Sequence, residues 1–145
     1  MTKRKIIAHP VQPANDPVLI IVMRNDLASL NPGKACAQAS HAANMMNDFV
    51  LAYNTAYWNA TLEKWKRESG QGFGTCLVLS GSWDIIEDCL NNWNPTNTLS
   101  GRVLDYTYPL RDGLITHEFP LHTCAWFFGD REELFNIRNA FELMQ

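Results

Sequence analysis

The sequence lacks an apolar run near the ~18 residues that a membrane span requires, and it lacks a CxxC pair. The spacing of the cysteines and histidines also matches no standard zinc site. The residues concerned are Cys36, Cys76, Cys89, Cys124, His41, His117 and His122. We therefore expect no metal, no cofactor and no membrane partner. No apolar signal-peptide core follows the basic N-terminus, so we expect a cytoplasmic protein.

Positive charge is scarce as well. The 145 residues include 12 Lys and Arg against 15 Asp and Glu, which gives a formal net charge of −3. This balance excludes a basic field over the whole domain, so any contact with phosphates must come from a local patch. Hydrophobic residues make up 46% of the chain and include five Trp, four Tyr and seven Phe, enough for one packed domain.

The order of apolar segments predicts an α/β fold. Residues 18–23 form a continuous β-branched run typical of a strand buried on both faces. Further strands are predicted at 74–80, 102–108 and 122–128, and helices at 33–51, 55–68, 82–93 and from 130 to about 143. Because helices separate most strands, we expect three layers: a mixed, mostly parallel four-stranded sheet with helices on both faces. Residues 1–16 are predicted to be a flexible arm, 17–145 a single domain, and 110–120 an irregular segment.

The segment that follows the first predicted strand carries the strongest functional pattern. Residues 24–43 read RNDLASLNPGKACAQASHAA, in which an Asn-Pro-Gly turn begins a helix. Lys34, Gln38 and His41 have the spacing i, i+4, i+7, which places them along one stripe of that helix. Lys34 lies in the first turn, where the helix dipole disfavours a cation. Two explanations of this position stand: Lys34 has a functional role, or it is a solvated surface lysine. The phosphate-binding motif GxxxxGK[ST] is absent.

A second polar cluster, RDGLITHE, spans residues 111–118. Asp112 could orient a water or serve as a general base, or it could simply form an Asp-Gly turn. Thr116 and Thr123 could donate hydrogen bonds to a carbonyl or phosphate, although threonine at a strand edge is also common for structural reasons.

The segment 24–43 resembles the opening motif of the type II peptidyl-tRNA hydrolases. In that family a strand ends in Arg-x-Asp-Leu, and a Gly-Lys pair starts a helix with Ala-Gln and then His-Ala. The stretch LEKWKRESGQ at 62–71 is similar to a further family motif, and weaker similarity at 112–116 and around Thr123 extends the resemblance over about residues 18–144.

The resemblance implies cleavage of the ester between a peptide and the tRNA ribose, without a metal and by a homodimer. By position, Lys34 would stabilise the oxyanion or bind a phosphate, Asp112 would position or activate water, and Thr116 and Thr123 would complete the catalytic set. The residues expected to bind the substrate are Arg24, Asp26, Gly33, Gln38, His41, Arg111 and His117.

Three positions depart from the family pattern. Ile115 replaces a basic residue, Leu114 replaces a glycine, and Phe73 stands where a lysine is usual. Loss of cations weakens the case for tRNA, because tRNA binding depends on phosphate neutralisation. Two main hypotheses therefore stand: a peptidyl-tRNA hydrolase, or a protein of the same fold that binds a small nucleotide or another anionic ligand in the same pocket. A third is an interaction domain that uses Trp58 and Trp65.

Overall fold

Five strands and four helices form the part of the chain that the computed structural model describes, residues 11–92 and 97–145. The first ten residues of the predicted arm lie outside these ranges. The elements are β1 (Pro17–Arg24), α1 (Pro32–Tyr53), α2 (Ala56–Arg67), β2 (Cys76–Gly81), α3 (Trp83–Asn92), β3 (Thr98–Asp112), β4 (Ile115–Asp130), α4 (Phe135–Ala140) and β5 (Glu142–Leu143).

The strands form a single sheet with the order β3-β4-β1-β2-β5. The central strand β1 pairs in parallel with β2 and antiparallel with β4. Its side chains alternate between two hydrophobic clusters, because successive residues of a strand point to opposite faces. Leu19, Ile21 and Met23 pack with α1 and α2. Val18, Ile20 and Val22 pack with α3 and α4 on the other face. The predicted α/β class with a mixed sheet is confirmed.

The predicted four-stranded, mostly parallel sheet is wrong. Within the described residues the sheet has five strands, and β1 with β2 is its one parallel pair. The β1–β4, β2–β5 and β3–β4 pairs are antiparallel. The error in strand direction arose at residues 110–120, which were expected to be irregular. A two-residue turn, Gly113 and Leu114, joins β3 to β4 there, and Gly113 has φ +60°, as the first position of a type II′ turn requires.

The C-terminal helix is also shorter than predicted. It ends at Ala140, and Glu142–Leu143 then pairs with Leu79 and Ser80 as an edge strand. Phe141 lies so close to Gly81 that a Cβ at residue 81 would be 2.4 Å from its ring. Glycine at residue 81 therefore leaves room for this ring, which packs on the sheet where α4 ends.

The β3–β4 hairpin extends beyond the core and positions the candidate site. Its register is irregular between Val103 and Leu104 and again between Asp105 and Tyr108. Beyond the second irregularity residues 111–120 are all exposed. The hairpin therefore consists of a buried base, which packs under α1, and an exposed end, which projects past the first turn of that helix.

Candidate functional site

The first turn of α1 is closed by a side-chain cap. Asn31 is the N-cap residue, and its Oδ1 accepts a hydrogen bond from the Lys34 amide at 2.9 Å. Pro32 occupies the first helical position, where its missing N–H costs nothing. Gly33 follows it and is exposed. The Asn-Pro-Gly sequence thus fixes where the helix begins and where Lys34 leaves it.

The Lys34 side chain reaches across to the β3–β4 hairpin. Its Nζ donates a hydrogen bond to the Pro109 carbonyl oxygen at 2.6 Å and lies 4.8 Å from the centre of the Tyr108 ring. Tyr108 is fully buried, and its hydroxyl is 3.1 Å from Ser29 Oγ. A cation over an aromatic face is attracted to it, so Lys34 is held in place from two sides.

A cavity of about 320 Å³ opens beside this ammonium group. Its lining residues are Asn31, Lys34, Pro109, Arg111 and Thr116. The lining therefore combines two cations, one hydroxyl and the positive end of a helix. An anionic or strongly polarised oxygen is the group that such a lining would favour.

Hairpin register decides which polar residues face the cavity. Arg111 pairs with Thr116, so their side chains share one face of the ribbon, whereas Asp112 pairs with Ile115 on the alternate face. Asp112 is exposed, does not line the cavity, and makes no side-chain hydrogen bond or ion pair with any described residue. His117 shares that alternate face, and its ring lies 6.0 Å from Phe119.

Gln38 and Thr123 meet inside the protein, under the cavity. The Thr123 hydroxyl donates to Gln38 Oε1 at 2.7 Å, and Gln38 Nε2 donates to Asp105 Oδ2 at 2.7 Å. Gln38 is 3% exposed and Thr123 is fully buried. The side chains of these two predicted residues are therefore bonded to other protein groups. Lys34, one turn earlier on α1, faces the open cavity.

His41 lies in a neighbouring groove between α1 and β3. The groove has a volume of about 400 Å³, and Asp48 and Asp105 line it together with His41. Burial would raise the pKa of Asp105, but hydrogen bonds from Gln38 and Thr107, with the nearby His41, outweigh it and lower this pKa below its ordinary value. Asp105 is therefore ionised at neutral pH.

Arg24 and Asp26 form a cluster at the end of β1. Arg24 Nε contacts Asp26 Oδ1 at 2.7 Å, and Arg24 Nη1 donates to the His122 carbonyl at 3.0 Å. Asp26 Oδ2 also accepts from the Trp83 amide at the start of α3. Partial burial would raise the pKa of Asp26, yet the bonds from Arg24 and Trp83 outweigh it and lower this pKa. Through these bonds Arg24 connects β1 with β4, and Asp26 connects the end of β1 with the start of α3.

Four residues contribute to this region without having been predicted as site residues, although Asn31 was predicted as part of the turn before α1. Asn31 carried a recognisable signal, because Asn before Pro-Gly is a helix-start pattern. The Pro109 carbonyl, the Tyr108 ring and the Asp105 carboxylate carried none, because their contacts with α1 join residues 67 to 75 positions apart. Within the described ranges no cluster of three or more His, Cys, Asp or Glu could hold a metal ion. No helix in those ranges is long and apolar enough to span a membrane.

Comparison with known families bears on the same first half of the site. Residues 17–79 match the family model described as peptidyl-tRNA hydrolase PTH2. Over this segment the chain is similar to PTH2. The match to PTH2 contains β1, α1 and α2 and ends within β2, so it includes Lys34 and Gln38 but not Asp112, Thr116 or Thr123. A search of curated proteins finds no match to this sequence.

Proposed function

We propose that this PTH2-like protein hydrolyses the ester of peptidyl-tRNA at the cavity beside Lys34, without a metal. The observation that carries the proposal is the convergence of Lys34, Arg111 and Thr116 on one cavity at the start of α1. The family match supports the substrate class. Four free cysteines in the described chain are compatible with a reducing compartment, and we place the activity in the cytoplasm.

The chemistry needs positive charge where the ester develops negative charge. Water attacks the ester carbonyl carbon, and the tetrahedral intermediate carries its charge on the former carbonyl oxygen. Donors already oriented toward that oxygen stabilise it without reorganisation. Lys34 Nζ would exchange its bond to the Pro109 carbonyl for this oxygen, while Thr116 donates a hydroxyl hydrogen and Arg111 binds a phosphate. The ribose hydroxyl leaves with a proton from the attacking water.

We assign to Asp112 the positioning or activation of that water, as the family resemblance implies. Its carboxylate is exposed and has no partner among the described residues, so it is available to accept from water. Because it projects from the alternate face at the end of the hairpin, the ester must lie across the hairpin end for this role. We therefore expect Asp112→Asn to reduce turnover without abolishing substrate binding.

Turnover of purified peptidyl-tRNA tests this proposal. Wild-type protein should release free peptide and deacylated tRNA, and Lys34→Ala should lower kcat by ~10²-fold or more, the effect of removing one oxyanion donor. Lys66→Ala is the matched control, because it removes the same charge from α2 and should retain wild-type turnover. Absence of turnover by wild-type protein at high enzyme concentration would reject the proposal.

A second candidate function is the binding of a small nucleotide or another anionic ligand without turnover. The observation that favours it is that none of the five residues lining the cavity carries a carboxylate or imidazole. Titration calorimetry with adenosine monophosphate, followed by recovery of the ligand, separates the two candidates. Micromolar binding that Arg111→Ala weakens, with the nucleotide recovered unchanged and no peptide release, would favour the binding protein.

We also propose a homodimer, which the family resemblance implies. The exposed apolar side chains of Ile115 and Phe119 on the hairpin support it, because such side chains often become buried on association. Sedimentation velocity should give twice the mass of one 16.5 kDa chain. A monomer at micromolar concentration would contradict this part of the proposal.

A further inference from the structure

We propose that Asp105 is a positioning residue that sets the direction of the hydrogen bonds joining Asp105, Gln38 and Thr123. Its kinetic consequence rests on the proposed hydrolase function, whereas the direction of the hydrogen bonds does not. The residue lies on β3 at the second irregularity of the hairpin, outside the part of the chain that matches PTH2.

The two oxygens of Asp105 are both engaged. Oδ2 accepts from Gln38 Nε2 at 2.7 Å, and Oδ1 accepts from the Thr107 amide at 3.0 Å. An ionised carboxylate has no hydrogen to donate. The amide nitrogen of Gln38, and not its oxygen, must therefore face Asp105, and the buried side chain leaves little room for any other arrangement.

The orientation of Gln38 in turn fixes Thr123. With its nitrogen toward Asp105, Gln38 directs Oε1 at Thr123, whose hydroxyl donates to it at 2.7 Å. A threonine hydroxyl has one hydrogen, and here that hydrogen is committed. Thr123 consequently holds Gln38 in place and does not donate to a ligand while this chain of hydrogen bonds is intact.

This chain of hydrogen bonds ties α1 to both arms of the hairpin. Gln38 follows Lys34 by one turn on α1, while Asp105 and Thr123 lie on the strands that carry Arg111 and Thr116. The charge on Asp105 therefore helps to keep the Lys34 ammonium in register with the cavity wall. A neutral amide at residue 105 could donate as well as accept, so the amide of Gln38 would no longer have one required orientation.

The direction of the hydrogen bonds can be tested by NMR with Asp105→Asn. The side-chain amide signals of Gln38, assigned by their loss in Gln38→Ala, should exchange slowly with solvent in the wild type. Asp105→Asn should shift these signals and speed their exchange at least tenfold. Asp48→Asn, which removes a carboxylate from the same groove without touching Gln38, should leave them unchanged. Unaltered Gln38 signals in Asp105→Asn would overturn the proposal.

Kinetics test the positioning role separately. Asp105→Asn should lower kcat about tenfold and change KM less than about twofold, because a displaced Lys34 affects charge developed in the transition state more than ground-state binding. The double variant Asp105→Asn with Gln38→Ala should be no slower than Gln38→Ala alone, since both substitutions break the same set of hydrogen bonds. Additive losses, or unchanged kcat in Asp105→Asn, would remove the positioning role. Absence of turnover by wild-type protein would reject the hydrolase function. The NMR comparison would still decide the direction of the hydrogen bonds.

Discussion

The two halves of the candidate site are held by different means. Lys34 and Gln38 lie on α1, which packs through Ala35, Ala42 and Met46 against the buried face of β1. Arg111 and Thr116 lie on the exposed end of the hairpin, where residues 111–120 have no core beneath them. The half on α1 gains its position from packing, whereas the hairpin half depends on strand pairing and on the bond from Lys34 to Pro109.

The same boundary separates the family-like part of the chain from the rest. The PTH2 match ends at residue 79, and two of the three departures, Leu114 and Ile115, fall on the hairpin end, whereas Phe73 lies within the matched segment. Substitutions at an exposed hairpin end cost little stability, so this half is freer to change its chemistry. The start of α1 therefore keeps the family-like cation Lys34, whereas the hairpin end that faces it differs from the family pattern.

The largest difference should appear in stability, with one leucine from each region. Leu19 is fully buried under α1, whereas Leu114 at the hairpin turn is fully exposed (104%). Leu19→Ala should lower the free energy of unfolding by ~2–5 kcal/mol through lost burial and a cavity. Leu114→Ala should change it by less than ~0.5 kcal/mol. Urea denaturation measures both losses, and equal losses would contradict the difference in packing between the two regions.

The next effect separates the two faces of the hairpin. Thr116→Val keeps the side-chain shape but removes the hydroxyl from the cavity, so kcat/KM for peptidyl-tRNA should fall about tenfold, the value of one hydrogen bond to a charged group. Ile115→Val, one residue away and on the other face, should leave kcat/KM within about twofold. A larger loss from Ile115→Val than from Thr116→Val would show that substrate uses the opposite face.

Two glycines, Gly33 on α1 and Gly113 on the hairpin, differ in their backbone requirements. Gly113 has φ +60° and open space around it, so Gly113→Ala should cost ~1–2 kcal/mol through backbone strain alone. A Cβ at Gly33 would make an ordinary 3.5 Å contact with Asn31, and alanine favours the helix, so Gly33→Ala should be neutral or slightly stabilising. Thermal unfolding of the two variants measures the difference. Similar melting temperatures for both would contradict the turn geometry.

The smallest effect concerns the Asp26 cluster and its dependence on pH. The folded-state pKa of Asp26 is lowered, so its contribution to stability is present above the unfolded value of about 3.9 and is lost as pH falls through the folded pKa. Asp26→Asn should lower stability by less than ~1 kcal/mol at pH 7, because the carboxylate is partly exposed. Denaturation curves of wild type and variant should converge in acid, and a difference that widened there would reverse the assignment.

Sequence patterns were most informative where local signals and burial agree. The β-branched run of β1 and the Asn-Pro-Gly start of α1 predicted both elements, and with them the place of Lys34. The base of the hairpin was predicted as strands at 102–108 and 122–128, but its end was missed, because residues 110–120 are polar and Pro109 and Pro120 argue against a strand. An exposed two-stranded ribbon tolerates proline where no neighbour needs its N–H. The two-residue β5 is too short to leave a pattern. The Asp105 to Gln38 contact spans 67 positions and depends on tertiary packing alone.

A crystal structure with a non-hydrolysable 3′-amide analogue of aminoacyl-adenosine would test most directly whether the cavity at the start of α1 is the reaction site. We expect the analogue's carbonyl oxygen within hydrogen-bond distance of Lys34 Nζ, with Thr116 beside it and the Pro109 carbonyl released. An analogue seated elsewhere, with Lys34 still bonded to the Pro109 carbonyl, would contradict it.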